Sequence, residues 1–232
     1  MSEVHCRYIF GFNTPEEQQY NLYFNQRDMT LLDKSFDGQT EEAMSWAKLE
    51  SNKCKNCPLN QEQHPYCPTA LALGKVAKKF AEVKSYTETK VAVVTSDRTY
   101  LKQTSTQEAL QGIFGLIMAT SGCPHLKFLR PMARFHLPFA NSTETMIRSL
   151  SFFILKKMFN SAKEPEITFD FNELSNAYEP VQIVNQQIVE RIRSLGKGDA
   201  DLNAIIILDS FATLLSMQIS DNFSDLRPLF IE

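Results

Sequence analysis

The chain has 232 residues, of which 43% are hydrophobic and 22% are charged, and its formal net charge is -3. This length can bury one large core or two smaller ones, and the mild negative charge argues against a nucleic-acid-binding surface, which is usually basic. The first ten residues lack the basic and apolar regions of a secretory signal, and the longest apolar runs are too short to span a bilayer. We therefore expect a cytoplasmic protein that binds neither nucleic acid nor membrane.

The first third of the chain alternates apolar and polar residues in the way that strands do. Residues 4–12 and 20–25 follow this pattern and are separated by turn-forming residues, which predicts an antiparallel hairpin. Residues 41–49 can form a short helix with Trp46 and Leu49 facing inward.

Helical spacing of apolar residues begins after residue 67. It predicts a helix over residues 68–82, and β-branched residues then predict a second hairpin over residues 83–102. A further helix starts at the capping-box spacing of Ser105 and Glu108 and ends at Gly122, a residue type that favours helix C-termini.

Three more helices are predicted beyond the irregular, proline-containing stretch 123–140. Asn141 caps the first of them, and Glu144, three residues later, has the spacing that completes a capping box. Pro180 breaks the next helical pattern, so that helix is expected to start at Glu179, and Asp199 caps the last one.

The predicted fold class is therefore α+β. A small antiparallel sheet with a Cys/His metal knuckle at residues 54–67 occupies an α+β domain over residues 1–104. A helical domain follows over residues 105–232. No glycine-, serine- or charge-rich linker separates the two parts, so they are expected to pack tightly against each other.

Four potential metal ligands lie within fourteen positions: Cys54, Cys57, His64 and Cys67. Thiolates and imidazoles are the ligands of tetrahedral zinc, and clustered cysteines in a chain without a secretory leader indicate metal binding or redox chemistry. Pro68 places Cys67 at the N-terminus of the predicted helix, where the helix dipole stabilises a thiolate. Buried or redox-active cysteines beside a surface histidine are the competing interpretation.

Cys123 is an alternative fourth ligand. If it joins Cys54, Cys57 and Cys67, the site becomes a four-cysteine site that can hold zinc or a [4Fe–4S] cluster. Three cysteines precede a proline, a pairing that also occurs in iron–sulfur proteins. Zinc is preferred here because His64 completes a local tetrahedral set.

A second group of candidate residues surrounds the irregular stretch. It combines a thiol, imidazoles and guanidinium groups and is a possible pocket; its members are Cys123, His125, Arg130, Arg134, His136 and Arg148. A thiol with a histidine as base can act as a nucleophile, and arginines can bind an anion. Apolar neighbours of His136 favour the alternative that it is a core histidine.

Several sequence blocks resemble those of an uncharacterised family of bacterial proteins. They are CKNCPLN, YCPTALAL, SGCPHLKFLRPMARFHLPFA and ETMIR, and the resemblance covers most of the chain. It implies a bacterial cytoplasmic protein and draws attention to Cys123 and His136, but it implies no activity for any residue.

Two functional interpretations follow from these residues. The first is an intracellular zinc-binding protein with a regulatory or interaction role and an unidentified protein or small-molecule partner. The second is a metal- or thiol-dependent enzyme with its site around Cys123 and His136. A closed four-ligand site would indicate the first, and an open coordination position beside a cleft the second.

Overall fold

The computed structural model describes residues 3–32, 44–160, 168–196 and 198–231. Four strands form one antiparallel sheet in the order β2-β1-β3-β4, namely β1 (Glu3–Phe10), β2 (Gln18–Asn25), β3 (Glu88–Thr95) and β4 (Thr99–Ser105). β1 and β2 form one hairpin, β3 and β4 form the other, and β1 joins them by pairing with β3. Both predicted hairpins are confirmed.

One face of the sheet supplies the core. Tyr8 in β1 lies opposite Tyr20 in β2 and Val93 in β3, and all three are buried. Alternate residues of a strand share a face. The other buried members of this face are Cys6, Phe10, Leu22, Phe24 and Val91.

Six α-helices and two 3-10 helices lie in the described part of the chain. The α-helices are α1 (Pro68–Phe80), α2 (Thr106–Thr120), α3 (Arg130–Arg134), α4 (Ser142–Asn160), α5 (Asn172–Ile192) and α6 (Ala200–Ser220). The 3-10 helices are Pro124–Leu129 and Arg227–Leu229. The sheet together with these helices confirms the α+β class.

α2 is the central helix. It follows β4 directly, ten of its fifteen residues are buried, and it contacts α1, α6 and the sheet. Burial of apolar surface stabilises a fold by roughly 25 cal/mol per Å². One cluster of buried side chains contains residues from the strands and from all six helices, so the two predicted parts share packed side chains. The predicted boundary at residue 104 stays a prediction.

The two predicted capping boxes have different outcomes. At the start of α4, the Glu144 N–H donates to Oδ1 of Asn141 and the Asn141 N–H donates to Oε2 of Glu144, both at 2.8 Å, which confirms the box. Ser105 precedes α2 but makes no side-chain cap bond, so that box was wrong. The carboxylate of Glu108 instead accepts a hydrogen bond from the Thr104 hydroxyl.

The predicted helix break at Pro180 was also wrong. α5 begins at Asn172 and continues through Pro180. Proline has no N–H and removes one hydrogen bond of the helix. The buried residues Leu174, Tyr178 and Val181 lie on either side of it, and their packing offsets that loss.

The predicted short helix over residues 41–49 lies partly outside the described residues. Within them, Lys48 forms an isolated antiparallel bridge with Tyr66, so a helix does not extend to Leu49. Trp46 and Leu49 are buried, as predicted.

α6 is a helix of 21 residues that is long and apolar enough to cross a membrane by length and composition alone. A core helix of a globular protein can meet the same criteria. Its buried residues include Ala204, Ile205 and Leu215, which face the rest of the core.

Candidate functional site

Cys54 and Cys57 lie in one tight turn. The Cys57 N–H donates to the Cys54 carbonyl at 3.0 Å. The carbonyl of Asn56, inside this turn, accepts a hydrogen bond of 2.7 Å from Nε2 of His125. The turn is therefore connected to the chain segment just beyond Cys123.

Cys67 immediately precedes α1, with Pro68 in the first turn. The Cys67 N–H donates to the Ala47 carbonyl at 2.7 Å, and the Cys67 carbonyl accepts from the Leu71 N–H at 2.9 Å. These bonds fix the backbone of Cys67 between the segment that contains Ala47 and the first turn of α1. Its thiol consequently lies at the positive end of the helix dipole.

Cys123 reaches the same region from the end of α2. Gly122 adopts a φ of +91°, and a Cβ placed on it would lie 3.9 Å from Cβ of Pro68. The hydroxyls of Thr69 and Ser121 are hydrogen-bonded at 3.0 Å. The chain therefore reverses at Gly122 directly beside the start of α1.

Cys54 and Cys123 interact electrostatically with other cysteines of the predicted sites. Burial raises the pKa of Cys54 to about 12, and the charges of Cys67, Cys123 and Cys57 raise it as well. Burial is also the main cause that raises the pKa of Cys123, with a contribution from Cys67. The charges of Cys57, Cys67 and Cys123 thus act on Cys54, and the bond from His125 to Asn56 links the same chain segments.

The fourth residue of the predicted local set lies elsewhere. His64 is exposed, and its N–H donates to the Asn60 carbonyl at 2.9 Å. Within the ranges that the structure describes, no three His, Cys, Asp or Glu side chains converge closely enough to hold a single ion as they stand. The predicted Cys/His knuckle is thus not shown by this geometry.

Arg191, at the end of α5, extends into the segment that leads to these cysteines. Its side chain is 2% exposed. The guanidinium donates to four carbonyls, those of Trp46 at 2.6 Å, Lys48 at 3.1 Å, Leu49 at 3.2 Å and Asn52 at 3.4 Å.

The charge of Arg191 has no carboxylate partner among the described residues. Burial lowers its pKa, and the negative charges of Cys67, Cys54 and Cys57 act in the opposite direction. Sequence reasoning missed this residue. The available signal was its position three residues after Ile188, on the apolar side of the helix.

Asn56 adds unpartnered polar atoms to the same region. Its Nδ2 and Oδ1 are both buried, and neither has a hydrogen-bond partner in the described part of the chain. A buried amide without partners is costly, and its N–H groups suit an anionic acceptor such as a thiolate.

The residues of the predicted pocket separate into two places. Cys123 and His125 lie with the other cysteines, whereas His136 and Arg148 line a cavity of about 160 Å³ between the helices. Neither Arg130 nor Arg134 lines that cavity; both belong to α3.

His136 is half-buried and lines this cavity. Its Nε2 and the hydroxyl of Tyr8 are 2.6 Å apart. Burial lowers the pKa of His136 to about 3, with a smaller contribution from Arg148, so the imidazole is neutral. The ring of His125 is bonded to Asn56, so each histidine proposed as a base for Cys123 has another partner.

A family model described as a domain of unknown function (DUF6901) matches residues 6–231. No curated protein and no solved structure matches the chain.

Proposed function

The chain belongs to the DUF6901 family, and from its own residues we propose that it is a metal-binding protein whose ligands are Cys54, Cys57, Cys67 and Cys123. The observation that carries this proposal is the buried guanidinium of Arg191, on which the charges of Cys67, Cys54 and Cys57 act and which no described carboxylate neutralises. Four carbonyls accept hydrogen bonds from this cation, but they do not neutralise its charge, and a buried charge without an opposite charge is costly. Thiolates held by a metal supply the missing negative charge.

The donor chemistry favours Cys123 over His64 as the fourth ligand. The charge of Cys123 acts on Cys54, whereas His64 is exposed and its backbone follows a separate turn. Four thiolates on a divalent metal carry a net charge of about -2, which matches the nearby cation better than a site with a neutral imidazole. The unpartnered Nδ2 of Asn56 supplies a hydrogen-bond donor for such a site.

Zinc is the proposed metal, because it accepts four thiolates in a closed tetrahedral site. A [4Fe–4S] cluster is the second candidate. Cys57, Cys67 and Cys123 each precede a proline, as ligands of iron–sulfur clusters do. The charges of Cys67, Cys123 and Cys57 act on Cys54. No three described ligand side chains converge on the position of a single ion. Both observations suit a cluster, because its ligands bind several iron atoms rather than one.

We assign the site a structural role in a regulatory or interaction protein. Its ligands come from the turn at residues 54–57, from the start of α1 and from the segment after α2, so a metal would hold these three segments together. Four protein ligands leave no open position for a substrate. The enzyme alternative needs a base beside Cys123, but His125 is bonded to Asn56, and His136 lies in the separate cavity and is bonded to Tyr8.

The test is the metal content of four proteins purified gently and without oxygen: wild type, Cys123→Ser, His64→Ala and Cys6→Ser. Zinc, iron and acid-labile sulfide are measured together with the visible spectrum. We expect about one zinc per chain in wild type, full metal in His64→Ala and little in Cys123→Ser. Cys6→Ser is the matched control, because Cys6 is buried in the sheet.

Labile iron with a broad absorption near roughly 400 nm would identify the cluster instead. Metal retained in Cys123→Ser but lost in His64→Ala would overturn the four-cysteine assignment in favour of the local set. Wild-type protein without any metal would overturn the proposed function altogether.

A further inference from the structure

The cavity between the helices has the composition of a ligand site rather than of a packing defect. Its wall is mostly apolar and includes Leu116, Leu126, Leu208 and Phe211. A few polar groups lie among them, as in small-molecule sites. A volume of about 160 Å³ is close to that of an apolar cavity that holds one benzene ring.

Two glycines in the middle of α2 line this cavity. Glycine destabilises a helix interior relative to alanine. A Cβ on Gly112 would lie 2.8 Å from the hydroxyl of Tyr8, so that glycine is needed for packing. A Cβ on Gly115 would lie 3.5 Å from Cδ2 of Leu208, an ordinary contact. Packing therefore does not require glycine at position 115, and its effect is to keep the cavity open.

Arg148 is the cation of the cavity. Both N–H groups of its Nη2 are used, in bonds to the carbonyls of Met132 at 2.9 Å and Phe135 at 2.7 Å. Nε and Nη1 donate to no described atom, and Arg148 forms no ion pair with a described carboxylate. The other charged residue in the lining, Glu108, already has partners. Its Oε2 lies 3.5 Å from Nζ of Lys102 and accepts a hydrogen bond from the Thr104 hydroxyl. Arg148 therefore has donors to offer an anion.

Asn185 supplies an unused acceptor. It is 1% exposed, its Nδ2 donates to Asp209 at 3.2 Å, and its Oδ1 is buried without a partner in the described part of the chain. An unpaired buried carbonyl oxygen is costly, and a hydroxyl group of a ligand would satisfy it.

We propose that this cavity binds a small hydroxylated aromatic carboxylic acid, with its ring against the apolar wall, its carboxylate at Arg148 and its hydroxyl toward Oδ1 of Asn185. The ring matches the volume, and the two polar ends match the Arg148 cation and the buried, unpartnered Oδ1 of Asn185. This site is separate from the four cysteines and does not depend on the metal proposal.

Calorimetric titration of the full chain with 4-hydroxybenzoate, 3-hydroxybenzoate, benzoate and benzyl alcohol tests the proposal. We expect saturable binding of at least one hydroxybenzoate, weaker binding of benzoate and none of benzyl alcohol. Losing a charge-assisted hydrogen bond weakens binding by about tenfold or more, so Arg148→Gln should show at least that loss. Asn185→Leu should remove the preference for the hydroxylated acid.

Gly115→Ala is the decisive variant, because its added Cβ makes only an ordinary contact with Leu208 and the fold should persist. It should raise the melting temperature of the free protein, as alanine favours the helix, and at the same time weaken hydroxybenzoate binding by filling the cavity. Absence of saturable binding of either hydroxybenzoate to wild type would overturn the proposal. Equal affinity of wild type and Gly115→Ala for the acid would do so as well, since the ligand would then bind elsewhere.

Discussion

Nε2 of His125 lies 2.7 Å from the carbonyl oxygen of Asn56, and this single hydrogen bond joins the turn between two cysteines to the segment that follows a third. A carbonyl can only accept, so the imidazole carries its hydrogen on Nε2. The residues are 69 positions apart. The bond therefore holds Cys123 near Cys54 and Cys57 whether or not a metal is present.

His125→Ala should loosen this arrangement without removing a ligand. We expect it to lower the free energy of unfolding by about 1 kcal/mol, because the part-buried bond to Asn56 is lost, and to speed metal loss to a chelator. Denaturant unfolding and the rate of metal transfer measure the two effects. His5→Ala is a suitable control, since His5 bonds to Asn21 on the exposed side of the sheet. Identical chelation rates for the two variants would contradict the coupling.

Arg191→Met should reveal whether the buried cation balances a charged site. In metal-loaded protein, removal of Arg191 leaves the thiolate site without its counter-charge and should cost about 3–5 kcal/mol of stability. In metal-free protein with neutral thiols the loss of stability should be smaller, because the wild-type cation is then buried without an opposite charge. Urea unfolding with and without a chelator gives both values.

Arg193→Met provides the comparison for Arg191. It is exposed and pairs with Glu190 at 2.5 Å, so its loss should change stability by less than about 1 kcal/mol in either state. A destabilisation by Arg191→Met that is the same with and without metal would show that Arg191 has a packing role only.

Tyr8→Phe should destabilise the protein by about 1–3 kcal/mol, because Nε2 of the half-buried His136 then loses its hydrogen-bond partner. The pH dependence has a defined sign. The pKa of His136 is lowered from 6.5 to about 3 in the folded protein. As the pH falls from about 6.5 toward 3, the imidazole is protonated in the unfolded chain but not in the folded one. The free energy of unfolding therefore decreases over this range.

His136→Leu tests the origin of that pH dependence. It should remove part of the loss of stability between pH 6.5 and 4, as measured by thermal unfolding. Tyr86→Phe, at a side chain that is 69% exposed, is the control for the tyrosine change and should leave stability unaltered. An unchanged acid transition in His136→Leu would assign it to other groups.

Asp201 should give protein stability the opposite pH dependence to that of His136. It is buried, and burial raises its pKa to about 6. The folded protein then binds the proton more tightly than the unfolded chain, so stability from this group is present below about pH 4 and is lost as pH rises through 6. Asp201→Asn should therefore increase the free energy of unfolding by about 1–2 kcal/mol at pH 7 to 8 and raise the melting temperature there. At pH 4 it should have little effect.

The control for this change is Asp97→Asn, in the exposed turn between β3 and β4. It should be neutral at both pH values. A melting temperature for Asp201→Asn that is no higher than that of wild type at pH 8 would mean that the carboxylate is better solvated than its burial indicates.

Features that depend on neighbouring residues were predictable from the sequence. The period-two alternation identified both hairpins, and the box of Asn141 and Glu144 and the turn at Gly122 were confirmed. The same local rule gave the wrong answer at Ser105, because Glu108 bonds to Thr104, the residue just before Ser105 at the end of β4. It also failed at Pro180, where packing around Tyr178 and Val181 keeps the helix continuous.

The relationships that define the two candidate sites depend on tertiary structure. Loop-closure entropy favours ligands that are close in sequence, which made His64 the natural partner of the local cysteines. Packing of α1 against α2 has already brought Cys123 to Cys67, so that entropic advantage no longer applies. The burial of Arg191 and the separation of His136 from Cys123 follow from the same packing. Such placements arise from contacts between residues far apart in the chain, and no local pattern encodes them.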